Sequence, residues 1–250
     1  MIAFNYHKIC KETDSEVYSI SPESLARHLC MVRDNNLRVV GVDDVLSAHV
    51  DDGLVMFHFD DGTQDHAQNV FPLLETADAP GVFFISTAKI GTPGYLTISQ
   101  VQDLSAAGHD IECHGHSHKR MDRMAQSDLD SQLETGMDLI RSWTGRAPRI
   151  LSPPGGFYNP NIIRTARRHG FECIRSMRWN TNSIPLSGSI DCFVINHATT
   201  DTHLEQLMRG RGIFILRTAF LMKQMLRSVL PYSFYLKVRR ALCLRRNVRR

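Results

Sequence analysis

Repeats, low-complexity linkers and cysteine pairs at CxxC spacing are all missing from the 250-residue chain. The decapeptide MIAFNYHKIC at its beginning has no basic region followed by an apolar one, so we expect no secretory signal. Without a signal, scattered cysteines in a chain of this length predict mostly reduced core residues and favour a cytoplasmic protein. The six cysteines are Cys10, Cys30, Cys113, Cys173, Cys192 and Cys243.

Acidic residues are absent from positions 213–250, which hold ten Lys or Arg, whereas positions 1–212 hold 26 acidic and 19 basic residues. Arg217, Lys223 and Arg227, with Pro231 after them, argue against a transmembrane helix in this basic stretch. We expect an interfacial amphipathic helix that meets an anionic membrane at its inner face. The alternative is a helix packed on the body with a frayed basic end. No aromatic stacking platform supports RNA binding, so no nucleic-acid partner is expected.

Apolar runs alternate with helical patterns along the rest of the chain, whose composition, 42% hydrophobic and 22% charged, is typical of a globular domain. This alternation predicts an α/β fold of parallel strands with crossover helices. About seven units would close a distorted (β/α)7-type barrel, and a doubly wound open sheet is the competing architecture. We expect one barrel domain at 1–212 and a basic amphipathic tail at 213–250. The predicted strands are 2–6, 37–40, 54–59, 81–86, 109–113, 149–151, 171–174 and 192–196, and the predicted helices are 21–36, 66–77, 99–108, 127–143 and 159–170.

Polar clusters follow several of these strands, at the edge where parallel sheets place their sites. Asp60 and Asp61 come after the apolar run LVMFHF, and His114 comes after HDIEC. His114 and His118 would share one face if the chain turned helically there, and Asp61 could complete a set of two nitrogens and one oxygen around a cation. Three protein ligands are typical of a catalytic rather than a structural site. Zinc is the first expectation, although other divalent first-row metals suit these ligands.

Three segments in this order, FHFDDG, HGHSH and LSPPGGFYN, resemble the motifs of the polysaccharide deacetylase family, also called the NodB-homology or carbohydrate esterase family 4 domain. The similarity covers roughly Ile2 to Ala198. It implies a distorted β/α barrel that hydrolytically removes an acyl group, usually acetyl, from an amino sugar. It also implies that Asp60 is the general base and that Asp61, His114 and His118 bind the metal.

The third segment departs from the family pattern, because Ser152 stands where an arginine that orients the base is common. Serine supplies neither charge nor a bidentate fork, and Arg175 or Arg178 could compensate. In the same segment, Pro153, Pro154, Gly155 and Gly156 are expected to line the substrate site, with a glycine N–H as a candidate oxyanion donor.

Five further residues have both a functional and a structural interpretation. His197, after the apolar run FVI, is a candidate general acid or a histidine that follows a strand by chance. Trp179 is a candidate wall under the acetyl group or a core tryptophan. His7 and His58 are expected near the pocket as packing or supporting residues, and His116 as a neighbour of the metal rather than a ligand.

The leading function hypothesis is therefore a metal-dependent hydrolase of N-acetyl groups on a polysaccharide, oligosaccharide or lipid-linked glycan. The alternative is a catalytically silent relative that binds sugar or serves as a scaffold in glycan biosynthesis.

Overall fold

A computed structural model describes residues 1–11, 17–47, 53–214 and 217–218 of the chain. Its strands are β1 (Ile2–Tyr6), β2 (Lys8–Ile9), β3 (Ser19–Ile20), β4 (Arg38–Val39), β5 (Leu54–Asp61), β6 (Val82–Ile85), β7 (Asp110–Cys113), β8 (Ile150–Leu151), β9 (Cys173–Ser176), β10 (Gly188–Asp191) and β11 (Phe193–Val194). Its α-helices are α1 (Pro22–Asp34), α2 (Val42–Ser47), α3 (Phe71–Thr76), α4 (Ile98–Ala106), α5 (Gln126–Thr144), α6 (Pro160–Arg168) and α7 (Asp201–Met208).

One parallel sheet runs in the order β10-β9-β8-β7-β6-β5-β1-β11, and β4 pairs with β5 beside this path. Strands β10 and β11 are separated by Cys192 alone, yet β10 pairs with β9 and β11 pairs with β1. One stretch of chain therefore joins both ends of the sheet. The sheet nearly closes into a seven-unit barrel, which confirms the predicted (β/α)7-type architecture over an open sheet.

Successive side chains of each strand point to opposite faces of the sheet, so the core has two layers. The inner layer fills the barrel with side chains such as Ala3, Met56 and Phe84, and the outer layer packs the other sheet face against the helices. The helix ends follow local rules. Ser21 caps α1 with Pro22 in its first turn, and Gly145, at φ 73°, ends α5 in the left-handed conformation that glycine adopts most easily.

The structure corrects several predicted boundaries. Strand β5 continues through Asp60 and Asp61, which pair with Phe84 and Ile85, so the two carboxylates end the strand rather than follow it. The chain after β7 forms an irregular turn instead of the helical turn expected to bring His114 and His118 together. Helices α2 and α7 and strand β10 are short and were not predicted.

The basic tail falls largely outside the described residues, which include only 213–214 and 217–218 of it. The division into a barrel at 1–212 and a tail therefore stays a prediction. No helix in the described part of the chain is both long and apolar enough to cross a membrane.

Candidate metal centre

Polar side chains from neighbouring strands meet at the carboxyl ends of the strands. Asp60 and Asp61 end β5, His114 follows β7, Ser152 follows β8, and Arg175 lies on β9. Because all these strands are parallel, their carboxyl ends share one rim, which is where α/β barrels place their sites.

Within the described residues, one group of at least three potential metal ligands has its ligating atoms within 4.8 Å of one another. It consists of Asp61, His114 and His118. Asp61 Oδ1 is 2.9 Å from His118 Nε2 and 3.4 Å from His114 Nε2. Two donors that are each ~2.1 Å from a tetrahedral ion lie roughly 3.4 Å apart, so this spacing fits a single divalent cation. The three residues thus fit a metal with open coordination positions.

Hydrogen bonds prepare these residues as ligands. The Nδ1–H of His114 donates to the Ser152 carbonyl at 2.6 Å, which orients the ring with Nε2 toward Asp61. Burial raises the pKa of Asp61, but hydrogen bonds from His114 and His118 outweigh burial and hold it far below its ordinary value. The same contact with Asp61 raises the pKa of His118. The carboxylate is therefore in the charged form that a cation requires.

Two of the three candidate ligands have an unusual backbone conformation. Asp61 has φ 79° and His118 has φ 57°, in the left-handed region that non-glycine residues seldom adopt. Among the described non-glycine residues this conformation recurs only at Asn36 and Asp78. Strained backbone is often retained at functional sites, where it fixes the direction of a side chain.

Asp60 is held beside this cluster without belonging to it. Its carboxylate, 3% exposed, pairs with the Arg175 guanidinium, 1% exposed, at 2.5 Å between Oδ2 and Nη2. Asn5 Nδ2 donates to the same oxygen at 3.1 Å, whereas Oδ1 is buried and has no hydrogen-bond partner among the described residues. Burial raises the pKa of Asp60, but the positive charge of Arg175, followed by His114 and His7, overcomes burial and lowers it. Asp60 therefore stays ionised with one oxygen available to accept a proton.

Three histidines surround the site in supporting positions. His7 Nε2 lies 3.7 Å from Asp60 Oδ2, and burial lowers the His7 pKa against the opposing charges of Asp60 and Asp61. His58 is fully buried in the barrel, where burial lowers its pKa to about 3. The His116 ring contacts the Thr87 hydroxyl at 2.9 Å, so it lies outside the candidate ligand group.

The remaining predicted site residues have other contacts. His197 is exposed, and its Nδ1 contacts the Val17 carbonyl at 3.0 Å rather than Asp60. Trp179 is partly buried and packs against the main core cluster, as its structural interpretation expects. The roles proposed for both from the sequence stay predictions.

The PPGG segment forms a short turn after β8. Pro153 and Pro154 are buried, and Gly155 is exposed. The Gly156 N–H donates to the Pro153 carbonyl at 2.9 Å, so this amide is already engaged and is a poor oxyanion donor. A Cβ at Gly156 would lie 2.4 Å from Met177 Sδ, which explains the glycine by packing.

The rim of this parallel barrel holds two histidines and a carboxylate at metal-ligating distances, beside a separate buried carboxylate. The class that the fold and site define is therefore an α/β barrel with a candidate metal centre at its rim. The chain belongs to the polysaccharide deacetylase family, whose model matches residues 47–174, about half of the sequence. The family resemblance inferred from the three motif segments is thereby confirmed.

Individual relatives agree with this assignment. The chain is 25% identical over 118 residues to the putative polysaccharide deacetylase YxkH of Bacillus subtilis, covering 47% of this chain and 42% of that protein. It is 25% identical over 122 residues to a peptidoglycan-N-acetylglucosamine deacetylase of Bacillus cereus, covering 48% and 55%. The chain thus matches about half the length of these relatives. The fold is similar to that of the Streptococcus pyogenes deacetylase PplD in complex with acetate, with a TM-score of 0.75, 17% identity and coverage of 83% and 97%.

Proposed function

We propose that this protein is a metal-dependent hydrolase that removes an N-acetyl group from an amino sugar in a polysaccharide, oligosaccharide or lipid-linked glycan. The observation that carries the proposal is the side-by-side placement of the Asp61–His114–His118 cluster and the buried, ionised Asp60. Membership of the polysaccharide deacetylase family supports the same reaction, and the Bacillus cereus relative supports an N-acetylated sugar as the substrate class.

Asp61, His114 and His118 would hold a divalent cation, with zinc as the first candidate. When bound there, such a cation supplies a Lewis acid that polarises the amide carbonyl and acidifies water. The oxygen and two nitrogens occupy three positions and leave the rest for substrate and water.

Asp60 acts as the general base in this proposal. Its Oδ2 is engaged by Arg175 and Asn5, so Oδ1 accepts the proton of the attacking water. The leaving nitrogen of the sugar then needs a proton. The proton that Asp60 has accepted balances this step, and His7, whose Nε2 lies 3.7 Å from Asp60 Oδ2, is placed to relay it to the nitrogen; His197 remains the alternative donor suggested by the sequence.

Metal analysis combined with acetate release tests this function. The wild type should bind about one equivalent of zinc and release acetate from N-acetylglucosamine oligomers. Asp60→Ala should retain zinc and lose acetate release, whereas His114→Ala should lose both. His116→Ala, which removes an imidazole outside the cluster, is the matched control and should keep both properties.

Two results would contradict the proposal. Acetate release that survives both Asp60→Ala and His114→Ala would reject the assigned site. A zinc-loaded wild type that releases no acetate from any N-acetylated glycan would favour the silent sugar-binding alternative.

For the basic stretch at 213–250, we propose peripheral contact with an anionic membrane from the cytoplasmic side. The support is the charge distribution alone, with ten basic and no acidic residues in that stretch. Such a position would suit a lipid-linked glycan substrate.

A further inference from the structure

The ion pair between Arg175 and Asp60 is one of several hydrogen bonds made by a buried guanidinium inside the barrel. Besides Asp60, the guanidinium contacts the Ser152 hydroxyl through both Nε, at 3.1 Å, and Nη2. Nη1 approaches Cys192 Sγ at 3.5 Å, and Cζ lies 4.8 Å from the centroid of the Phe84 ring. The guanidinium therefore has a fixed position, because each of its three nitrogens has a partner and these partners come from three separate segments of the chain.

Strand register explains how Arg175 reaches Asp60. Strands β8 and β9 pair Ile150 with Cys173 and Leu151 with Ile174, so one step further along the ladder Ser152 lies opposite Arg175. The two residues touch inside the barrel, as their hydrogen bonds show. A guanidinium on either of these two strands could meet Asp60, and the small side chain of Ser152 leaves the space that Arg175 fills.

Ser152 also connects this guanidinium to the metal cluster. Its hydroxyl contacts Arg175, and its carbonyl accepts the Nδ1–H of His114 at 2.6 Å. The base and one candidate ligand are thus oriented by the same residue. Arg178, the other arginine considered from the sequence, is exposed and lies over the Tyr158 ring at 5.6 Å, so it contributes no contact to this network in the structure.

We propose that Arg175 is the positioning residue for Asp60, and that the cross-strand pair of Ser152 and Arg175 replaces an arginine at position 152. This inference rests on the proposed function, in which Asp60 is the base. It means that the serine in the third motif segment does not mark a silent protein, because the guanidinium reaches the carboxylate from the neighbouring strand.

A positional swap tests the proposal. Arg175→Ser removes the guanidinium, and Ser152→Arg combined with Arg175→Ser returns it from the opposite strand. Each variant is compared with the wild type by kcat and KM for acetate release, by zinc affinity and by crystal structure.

We expect Arg175→Ser to lower kcat about 100-fold, because a reacting group displaced by ~1 Å loses roughly that factor. KM and zinc affinity should each stay within about threefold, since neither the substrate contacts nor the ligands change. In the crystal, the Asp60 carboxylate should leave its wild-type position. The double variant should restore that position and return kcat to within about tenfold of the wild type.

An unchanged kcat in Arg175→Ser would overturn the proposal, as would a double variant whose guanidinium contacts Asp60 without any recovery of kcat. If Arg175→Ser does not fold, Arg175→Gln keeps hydrogen bonding without the charge, and a wild-type kcat in that variant would be equally decisive against it. If the wild type itself releases no acetate, the proposed function fails separately. The position of Asp60 in the crystal structures then decides whether Arg175 positions it.

Discussion

Replacing Asp60 by asparagine separates the two roles that the structure gives to this carboxylate. The change keeps the size of the side chain and one oxygen that can accept from Arg175, but it removes the negative charge. Asp60 and Arg175 are 3% and 1% exposed, so water cannot compensate for the loss. Asp60→Asn should therefore remove the base and also leave the Arg175 charge buried without its counterion.

The magnitudes follow from burial. Removing one partner of a buried ion pair costs about 3–5 kcal/mol in the free energy of unfolding. In a chain of this size, 1 kcal/mol corresponds to about 2–4 °C in Tm, so we expect a fall on the order of 10 °C. Loss of the general base should lower kcat by roughly 100- to 10,000-fold.

A double-mutant cycle distinguishes these effects. Arg175→Met places an apolar side chain of similar length beside Phe84 and Cys192, so the double variant with Asp60→Asn buries no charge that lacks its partner. The double variant should therefore be more stable than either single variant, yet as inactive as Asp60→Asn. Urea unfolding and acetate release, each measured with and without zinc, give the two readouts.

The reasoning is refuted if the two single destabilisations add in the double variant to within ~0.5 kcal/mol, because contacting charges must be coupled. A wild-type kcat in Asp60→Asn would separately remove Asp60 from the role of base.

Three further predictions follow from other parts of the chain. His7→Gln should lower kcat more than His197→Gln in steady-state acetate release, because His7, unlike His197, lies beside Asp60 in the structure. The reverse order would restore His197 as the acid. Burial raises the pKa of Asp110 to about 6, above its unfolded value, so its protonation stabilises the fold at low pH and this contribution is lost as pH rises from about 4 to about 6. Asp110→Asn should therefore raise the unfolding free energy at pH 7.5 by about 1–3 kcal/mol in urea melts, and a gain that persists unchanged at pH 4 would contradict this assignment. Replacing Arg245, Arg246, Arg249 and Arg250 by glutamine in the full-length protein should reduce flotation with phosphatidylglycerol vesicles several-fold, and equal flotation of both proteins would exclude the membrane role of these residues.

The grouping of Asp61, His114 and His118 was predictable from the sequence because these residues follow strands or lie a few residues apart. Asp61 ends an apolar run, and His114 and His118 are four residues apart. Parallel strands bring such positions to one rim whatever the detailed register is. The turn that joins the two histidines was not predictable, because it depends on the left-handed backbone of His118 and of Gly115.

The partners of Asp60 depend on tertiary pairing and were harder to foresee. Arg175 was only one of two candidate arginines, and its selection required the alignment of β9 with β8. Asn5 was missed entirely, although as the fourth residue of β1 it lies on the same sheet face as Ala3. The alternation of side chains along β1 predicts which face of the sheet Asn5 lies on. It does not predict that Asn5 binds Asp60.

The division of the last strand at Cys192 has a consequence for synthesis on the ribosome. A growing chain that has emerged only through Ser176 leaves the outer backbone groups of both β1 and β9 unpaired, since residues 188–194 cover both. Open edges of this kind recruit strands from other molecules. Residues 188–194, the last seven to join the barrel, therefore protect both sheet edges from pairing with other molecules. A nascent protein released before Val194 should precipitate rather than persist as a smaller soluble domain.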